Sequence, residues 1–308
     1  MNFKLLSPEH WTDYELIDTG GFEKLERFGP YILSRPEPQA VWSKALPQAE
    51  WERMANAVFR KETGKDGQRE NERGEWIQKK GMPQQWWISY AYGGMKLRFR
   101  LGLTAFKHVG LFPEQAENWD YIYNGLSGMH AAQPRVLNLF AYTGGASLAA
   151  RAAGAEVTHV DSVRQVVSWS RANMEASGLT NIRWMVEDAV KYLRREVKRG
   201  KQYQGIVLDP PAYGRGPAGE KWILEEGISE LMELCSQLLA HNGALLALNL
   251  YSMGFSALVA ANIIQSYFPQ ITGECGELFI PDRAGRRLPL GVFMRGTDKD
   301  VSKGAERM

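Results

Sequence analysis

The chain has 308 residues, 44% of them hydrophobic, and a formal net charge of +2. That length suits one large domain plus a smaller one, and the apolar content excludes general disorder. No apolar run reaches the roughly 18 residues of a membrane span and no leader pattern opens the chain, so a cytoplasmic address is expected. With two cysteines far apart, Cys235 and Cys275, and five scattered histidines, neither a disulfide framework nor a metal site is expected. Most of the ten tryptophans precede residue 120, a skew that marks the N-terminal part as a separate module.

In chain order, Tyr14 to Asp18, Tyr31 to Ser34, Trp86 to Ser89 and Met95 to Leu101 read as short antiparallel strands. Arg60 to Lys80 is charged, of mixed sign and dotted with glycine, which reads as a solvated mobile loop rather than a contact surface. The cluster Trp86, Trp87, Tyr90 and Tyr92 reads as core packing, with a platform for a base as the alternative.

From Arg135 onward apolar runs alternate with helical patterns. Strands are predicted at Arg135 to Tyr142, Glu156 to Val160, Asn181 to Val186, Tyr203 to Leu208 and Ala244 to Leu250. Helices are predicted at Gly145 to Ala153, Arg164 to Ser177, Ala189 to Arg199, Trp222 to Ala240 and Ser256 to Tyr267. This alternation argues a doubly wound, mostly parallel α/β sheet with helices on both faces. Gly276 to Ile280 and Gly291 to Arg295 follow with no helix between them, so an antiparallel hairpin ends the sheet. The expected division is a β-rich N-terminal domain over 1–105, the α/β domain over 106–298 and a frayed tail over 299–308.

Four strand ends carry the chemistry. After the first, Asn138-Leu-Phe-Ala-Tyr-Thr-Gly-Gly-Ala-Ser147 opens a helix; its paired glycines let backbone approach a ligand, or simply pack. It is not the Gly-x-Gly-x-x-Gly of a pyrophosphate turn, which disfavours a nicotinamide dehydrogenase. Asp161 ends the next strand, where an acid accepts the hydroxyls of a ribose or caps the following helix. Asp188 ends the third, as an acceptor for an adenine amino group or as a helix cap. The fourth delivers Leu208-Asp209-Pro210-Pro211-Ala212-Tyr213. Proline fixes φ and lacks a donor, so this shelf offers a carboxylate and carbonyl acceptors, with Tyr213 able to stack on a planar substrate. The ends of consecutive parallel strands line one crevice, so the four converge.

These residues resemble class I S-adenosylmethionine-dependent methyltransferases. Lys107-His-Val-Gly-Leu-Phe-Pro-Glu-Gln115 is similar to the Lys-x-x-Gly-Phe-x-x-x-Gln lead-in of bacterial large-subunit (23S) rRNA methyltransferases. The resemblance implies a Rossmann-like seven-stranded sheet with a reversed final strand, and S-adenosyl-L-methionine as cofactor. It implies cofactor contacts from Phe112, Gln115, Asn138, Phe140, Tyr142, Thr143, Gly144, Gly145, Asp161, Ser162, Asp188 and Asp209. Asp209, Pro210 and Tyr213 are the expected catalytic residues. No clear PUA domain is present, and Glu114-Gln115-Ala116 departs from the family's acid-Gln-Arg run. The 5-methylcytosine makers of the family need a cysteine after the fifth strand, where this chain reads Leu248-Asn-Leu-Tyr-Ser-Met-Gly254. Direct in-line transfer to nitrogen or oxygen, without a protein adduct, is therefore expected.

RNA is the expected partner, with ribosomal RNA first. Arg194, Arg195, Lys198, Arg199 and Lys201 at one helix end, and Arg283, Arg286 and Arg287 in the terminal hairpin, offer cations for phosphate. The alternative for the first cluster is a solvated helix end favourable to its dipole. A protein side chain or small molecule as acceptor, or a cofactor-binding RNA-binding module without turnover, are the competing functions.

Overall fold

The computed structural model describes residues 1–62, 73–129, 133–251 and 255–298. Strand β1 (Asn2–Leu6) comes first, followed by β2 (Tyr14–Gly20), β3 (Glu23–Phe28), β4 (Tyr31–Pro36), helix α1 (Gln48–Met54), β5 (Ala57–Lys61) and β6 (Gly74–Gln78). Strands β2 to β6 form a five-stranded sheet in sequence order, with a parallel β4–β5 pair made through α1 and antiparallel pairs elsewhere. The flanks of the stretch expected to be a loop are thus paired strands; residues 63–72 of it lie outside the described residues.

A hairpin, β7 (Gln85–Tyr92) and β8 (Met95–Gly102), buries alternate residues, as its period-two pattern dictates. Trp86 and Tyr90 face the core while Trp87 faces outward beneath Arg98, so the aromatic cluster is mainly packing. A 3-10 turn at Pro113–Gln115 leads into α2 (Ala116–Ser127), a helix absent from the sequence reading.

The second part runs β9 (Arg135–Leu139), α3 (Gly145–Ala152), β10 (Glu156–Asp161), α4 (Arg164–Ala176), β11 (Ile182–Val186), α5 (Ala189–Lys198) and β12 (Gly205–Leu208). It continues through β13 (Tyr213–Arg215), β14 (Lys221–Ile223), α6 (Leu224–Leu238), β15 (Leu245–Leu250), α7 (Ala257–Tyr267), β16 (Thr272–Pro281) and β17 (Arg287–Thr297). The sheet has eight strands rather than seven, ordered β1-β16-β17-β15-β12-β9-β10-β11. Strand β17 lies between β15 and β16 and is antiparallel to both, while β1 adds in parallel at the edge. Strands β12 and β15 are buried along their whole length, and their mostly apolar runs, broken only by Asn249, reflect helices covering both faces.

The strand order reverses between β9 and β12, and the crevice beyond their carboxyl ends is where such sheets hold ligands. Hydrophobic packing crosses the 105/106 boundary: Trp11, Trp86, Tyr90 and Phe99 share a core with Trp119, Leu148 and Val207. The arginines of the β16–β17 turn tie the two sheets together. Arg283 pairs with Glu15 at 2.7 Å, and Arg286 bonds Asp18, Asp282 and the Ser43 carbonyl. The expectation that these two offer free charge to phosphate is corrected, because they are paired with Glu15 and Asp18 of strand β2, far away in sequence, and with the neighbouring Asp282. Arg287 instead lies over the Phe279 ring. In the other cluster Arg194 pairs with Glu230, Arg195 with Glu187 and Arg199 with Glu196, which favours the solvated helix end. The 299–308 tail lies outside the described residues, and among those described no helix is long and apolar enough to cross a membrane.

Candidate active site

Where β9 ends the backbone takes an uncommon path. Phe140 (φ 54°) and Tyr142 (φ 48°) are left-handed without being glycine, and Gly144 follows at φ 93°. Such residues cost about 1–3 kcal/mol each and persist only where their surroundings hold them. Here the Ala141 N–H donates to the Val160 carbonyl (3.1 Å) and the Tyr142 N–H to Asp161 Oδ2 (2.9 Å). Thr143 Oγ1 donates to the Gly110 carbonyl (2.7 Å), and Ser170 Oγ to the Tyr142 carbonyl (2.6 Å). Beneath the turn Asn138 Nδ2 donates to Ser147 Oγ (2.8 Å), which meets His159 Nδ1 at 3.0 Å. Burial lowers that imidazole to about 3, so it is neutral.

The turn forms one wall of a cavity enclosing about 560 Å³, part of it open to solvent. Phe140, Tyr142, Thr143, Gly144 and Gly145 line this wall, and Phe112, Gln115, Asn118 and Trp119 line the cavity beside it, from the lead-in and α2. Asp209 and Asn249, from the ends of β12 and β15, complete it. A Cβ on Gly145 would fall 2.5 Å from Trp119 Cε2, so glycine here is required by close approach. Asn118 Nδ2 donates to Gln115 Oε1 (2.9 Å) and Asn249 Nδ2 to Asp209 Oδ1 (2.9 Å). The amide oxygens Asn118 Oδ1 and Asn249 Oδ1 are buried without a hydrogen-bond partner among the described residues. Two orphaned acceptors lining one cavity fit a ligand that brings N–H or O–H donors. Asn118, Trp119 and Asn249 were missed by the sequence reading; only the i+3 spacing of Asn118 after Gln115 signalled any of them.

Burial raises the Asp209 carboxyl to about 6, against the Asn249 hydrogen bond, so at neutral pH it is mostly ionised. The rest of the shelf is more committed than expected. The Pro211 carbonyl accepts from Trp222 Nε1 (2.7 Å), and Pro211 forms an isolated parallel bridge with Tyr251. Trp222 sits on β14 rather than on a helix, and its ring packs on Phe140 at 5.0 Å. Pro210 is buried behind Asp209, whereas Tyr213 is 49% exposed on β13 and lines no part of the cavity.

The acids on β10 and at the start of α5 lie outside the lining. Asp161, its carboxyl raised by burial, takes the Tyr142 N–H on one oxygen and the Val163 N–H (2.9 Å) on the other. It pins the turn, and the cap position of α4 is Val163. Ser162 beside it is half-buried and also outside the lining. Asp188 realises the capping alternative, accepting from the Lys191 N–H at 2.9 Å.

Comparison with known proteins is consistent across sequence and structure. The family model described as S-adenosylmethionine-dependent methyltransferase matches residues 53–262. A crystal structure of a SAM-dependent methyltransferase from Agrobacterium tumefaciens superposes with a TM-score of 0.86 at 35% identity, covering 96% of this chain and 94% of that one. Ribosomal RNA large subunit methyltransferase I of Aeromonas salmonicida is 33% identical over 200 residues, 61% of this chain and 48% of its own length. Ribosomal RNA large subunit methyltransferase K/L of Shewanella frigidimarina is 30% identical over 183 residues, 57% of this chain and 24% of its own. The matches therefore span between a quarter and a half of these curated relatives. The glycine turn against Trp119, the strand-end carboxylate of Asp209 and these matches lead to one conclusion: the chain belongs to the S-adenosylmethionine-dependent methyltransferase family.

Proposed function

We propose that the chain methylates a nitrogen atom of an RNA base, with ribosomal RNA as the first substrate to test. S-adenosyl-L-methionine supplies a methyl group already activated on a sulfonium, so the protein's share is alignment, desolvation and handling of the acceptor's proton. The strained turn from Phe140 to Gly145, with Gln115 and the unpaired oxygens of Asn118 and Asn249, forms the cofactor wall. Asp161 and Asp188 lie further out and support this wall indirectly, Asp161 by pinning the turn and Asp188 by capping α5. Phe112 separates this cavity from the acceptor side.

Asp209 acts on the acceptor. As a carboxylate it receives an N–H of the attacking nitrogen, draws the lone pair out of conjugation and orients it for in-line transfer. The Pro210 carbonyl is the second acceptor, and Tyr213, exposed on β13, stacks on a neighbouring base of the RNA. No thiol takes part: Cys235 and Cys275 are buried in the core, where burial pushes both thiols up. The observation that carries this reading is a half-buried carboxylate, anchored by Asn249, on the rim of a glycine-walled cavity.

The test is transfer of radiolabelled methyl to unmodified ribosomal RNA, naked and in subunits, with Asp209→Ala as control. Label that is lost in the variant supports the reading, and nucleoside digestion then names the atom. Absence of label in either RNA form, with S-adenosylhomocysteine still bound, moves the acceptor to a protein side chain or small molecule.

A further inference from the structure

A second cavity, of about 390 Å³ and partly open to solvent, lies on the far side of Phe112, which lines both. Its walls come from parts of the chain distant in sequence: Lys24 and Glu37 from the N-terminal sheet, His108 and Glu114 from the lead-in, and Tyr251 beyond β15. Tyr251 is bridged to Pro211, so this cavity borders the Asp209 shelf. The carboxyls of Glu114 and Asp209 are close enough to repel, which adds to the raised titration of Glu114.

The polar groups are of complementary kinds. Lys24 Nζ is 3.0 Å from Glu37 Oε2 and 3.8 Å from Glu26, which leaves its third N–H uncommitted to those acids. Glu37 Oε1 receives only long bonds, from Tyr251 Oη (3.5 Å) and the Gln39 N–H (3.4 Å). Glu114 is 5% exposed and makes no ion pair among the described residues; burial pushes it up to about 8, so at neutral pH its carboxyl carries a proton to donate. His108 is neutral, lowered to about 3 by burial, and its ring lies 5.2 Å from Phe112. Two cationic or protonated donors face a carboxylate acceptor between aromatic rings, and 41% of Tyr251 remains exposed at the mouth.

We propose that this cavity is the acceptor pocket and takes the keto edge of an unstacked nucleobase, a carbonyl beside a ring N–H. Lys24 and Glu114 donate to the carbonyl, Glu37 accepts from the ring N–H, and Tyr251 with Phe112 flanks the ring plane. Ammonium groups favour base carbonyls, and carboxylates accept from base N–H groups. A base extruded from its stack is commonly held by its pairing edge between aromatic groups. Guanine and uracil carry this edge, and of the two guanine alone keeps a further nitrogen, its amino group, for Asp209; adenine and cytosine put an amino group in place of the carbonyl. The proposal rests on the reading that RNA is methylated.

The test titrates guanosine, uridine, adenosine and cytidine into the full-length protein saturated with S-adenosylhomocysteine, read by saturation-transfer NMR. Guanosine or uridine is expected to bind at least tenfold tighter than adenosine and cytidine. Glu37→Gln is expected to erase that preference while S-adenosylhomocysteine affinity stays within twofold. Because a change at buried Glu37 can weaken folding, Tyr251→Leu at the exposed mouth is the second variant, expected to weaken the bound nucleoside about tenfold with an unchanged melting temperature. Equal binding of all four nucleosides, no binding of any, or a preference untouched by both variants overturns the pocket assignment. Label transfer to ribosomal RNA is scored separately. Label without nucleoside preference sinks the pocket alone; preference without label in RNA sinks the reading beneath it.

Discussion

Replacing Gly145 with alanine tests the packing on which the cofactor wall depends. The added Cβ would lie 2.5 Å from Trp119 Cε2, where ordinary contact begins at 3.4 Å, so the ring must withdraw by 3.4 − 2.5, or about 0.9 Å. It has little room to do so. Trp119 is 4% exposed, and its ring is met by Trp11 at 5.7 Å, Tyr90 at 5.6 Å and Phe99 at 5.0 Å. Overpacking of this kind costs about 1–3 kcal/mol. At about 2–4 °C per kcal/mol for a domain somewhat smaller than this chain, melting should fall by about 5 °C. The same displacement moves the cavity wall, and about 1.4 kcal/mol of lost binding is a tenfold weaker complex. Differential scanning calorimetry and isothermal titration with S-adenosylhomocysteine read the two effects. Trp119→Phe in the Gly145→Ala background, with its smaller ring, should recover part of both losses, so the pair should couple strongly. A Gly145→Ala protein that melts and binds like wild type would show that the ring moves freely, and the close-approach argument would be wrong.

Three further outcomes follow from the geometry. Methyl transfer should fall about tenfold between pH 7 and pH 5, because Asp209 protonates through about 6 and acts as the carboxylate; Asp209→Asn should lose both the activity and this acid limb. The sign for stability is opposite: a carboxyl raised by folding lends stability below the ordinary carboxylate range and loses it as pH rises through about 6, so Asp209→Asn at pH 8 should melt no lower than wild type. Arg286→Ala removes the cation shared by Asp18 and Asp282, which keep donors from Ala45, Leu46, Trp51, Thr19 and Ala284, and should cost about 1.5–3 kcal/mol by urea unfolding; an unchanged midpoint would refute the tie between the sheets. The double variant Cys235→Ala with Cys275→Ala should keep its turnover per folded molecule and form no covalent adduct with 5-fluoropyrimidine RNA; an adduct in the unaltered protein would refute the nucleophile-free mechanism.

The parallel half of the fold was legible because its determinants are local. Short, nearly all-apolar runs such as Leu245–Leu250, broken only by Asn249, fit strands covered on both faces, and the amphipathic Ala189–Lys198 begins at its own capping aspartate. The glycine turn and Asp209 were legible for the same reason, being strand ends with unusual residues. Helix α2 was not, because its aromatic, Asn and Gly residues mask the spacing of Ala116, Trp119, Ile122 and Leu126 that it buries. The pairing of Arg283 and Arg286 was illegible for another reason. Its acids, Glu15 and Asp18, are separated from them by 268 residues, and no local pattern encodes such a contact. Asn249 likewise acquires its meaning only when β15 is laid beside β12.

Strand β1 imposes an order on synthesis. Its partner is β16, in a register that sets Asn2 against Glu274, and its outward side chains Phe3 and Leu5 stay more than half exposed even after pairing. At about 5–20 residues per second, translation reaches its partner about 14–54 seconds after the strand itself is made. During that interval the strand has no edge to join, and closing so long a loop is entropically slow. The large sheet can therefore assemble outward from β9 and β12 and gain its β1 edge only after β16 has emerged. Until then the nascent chain carries an unpaired strand whose Phe3 and Leu5 have no neighbouring strand to lie beside.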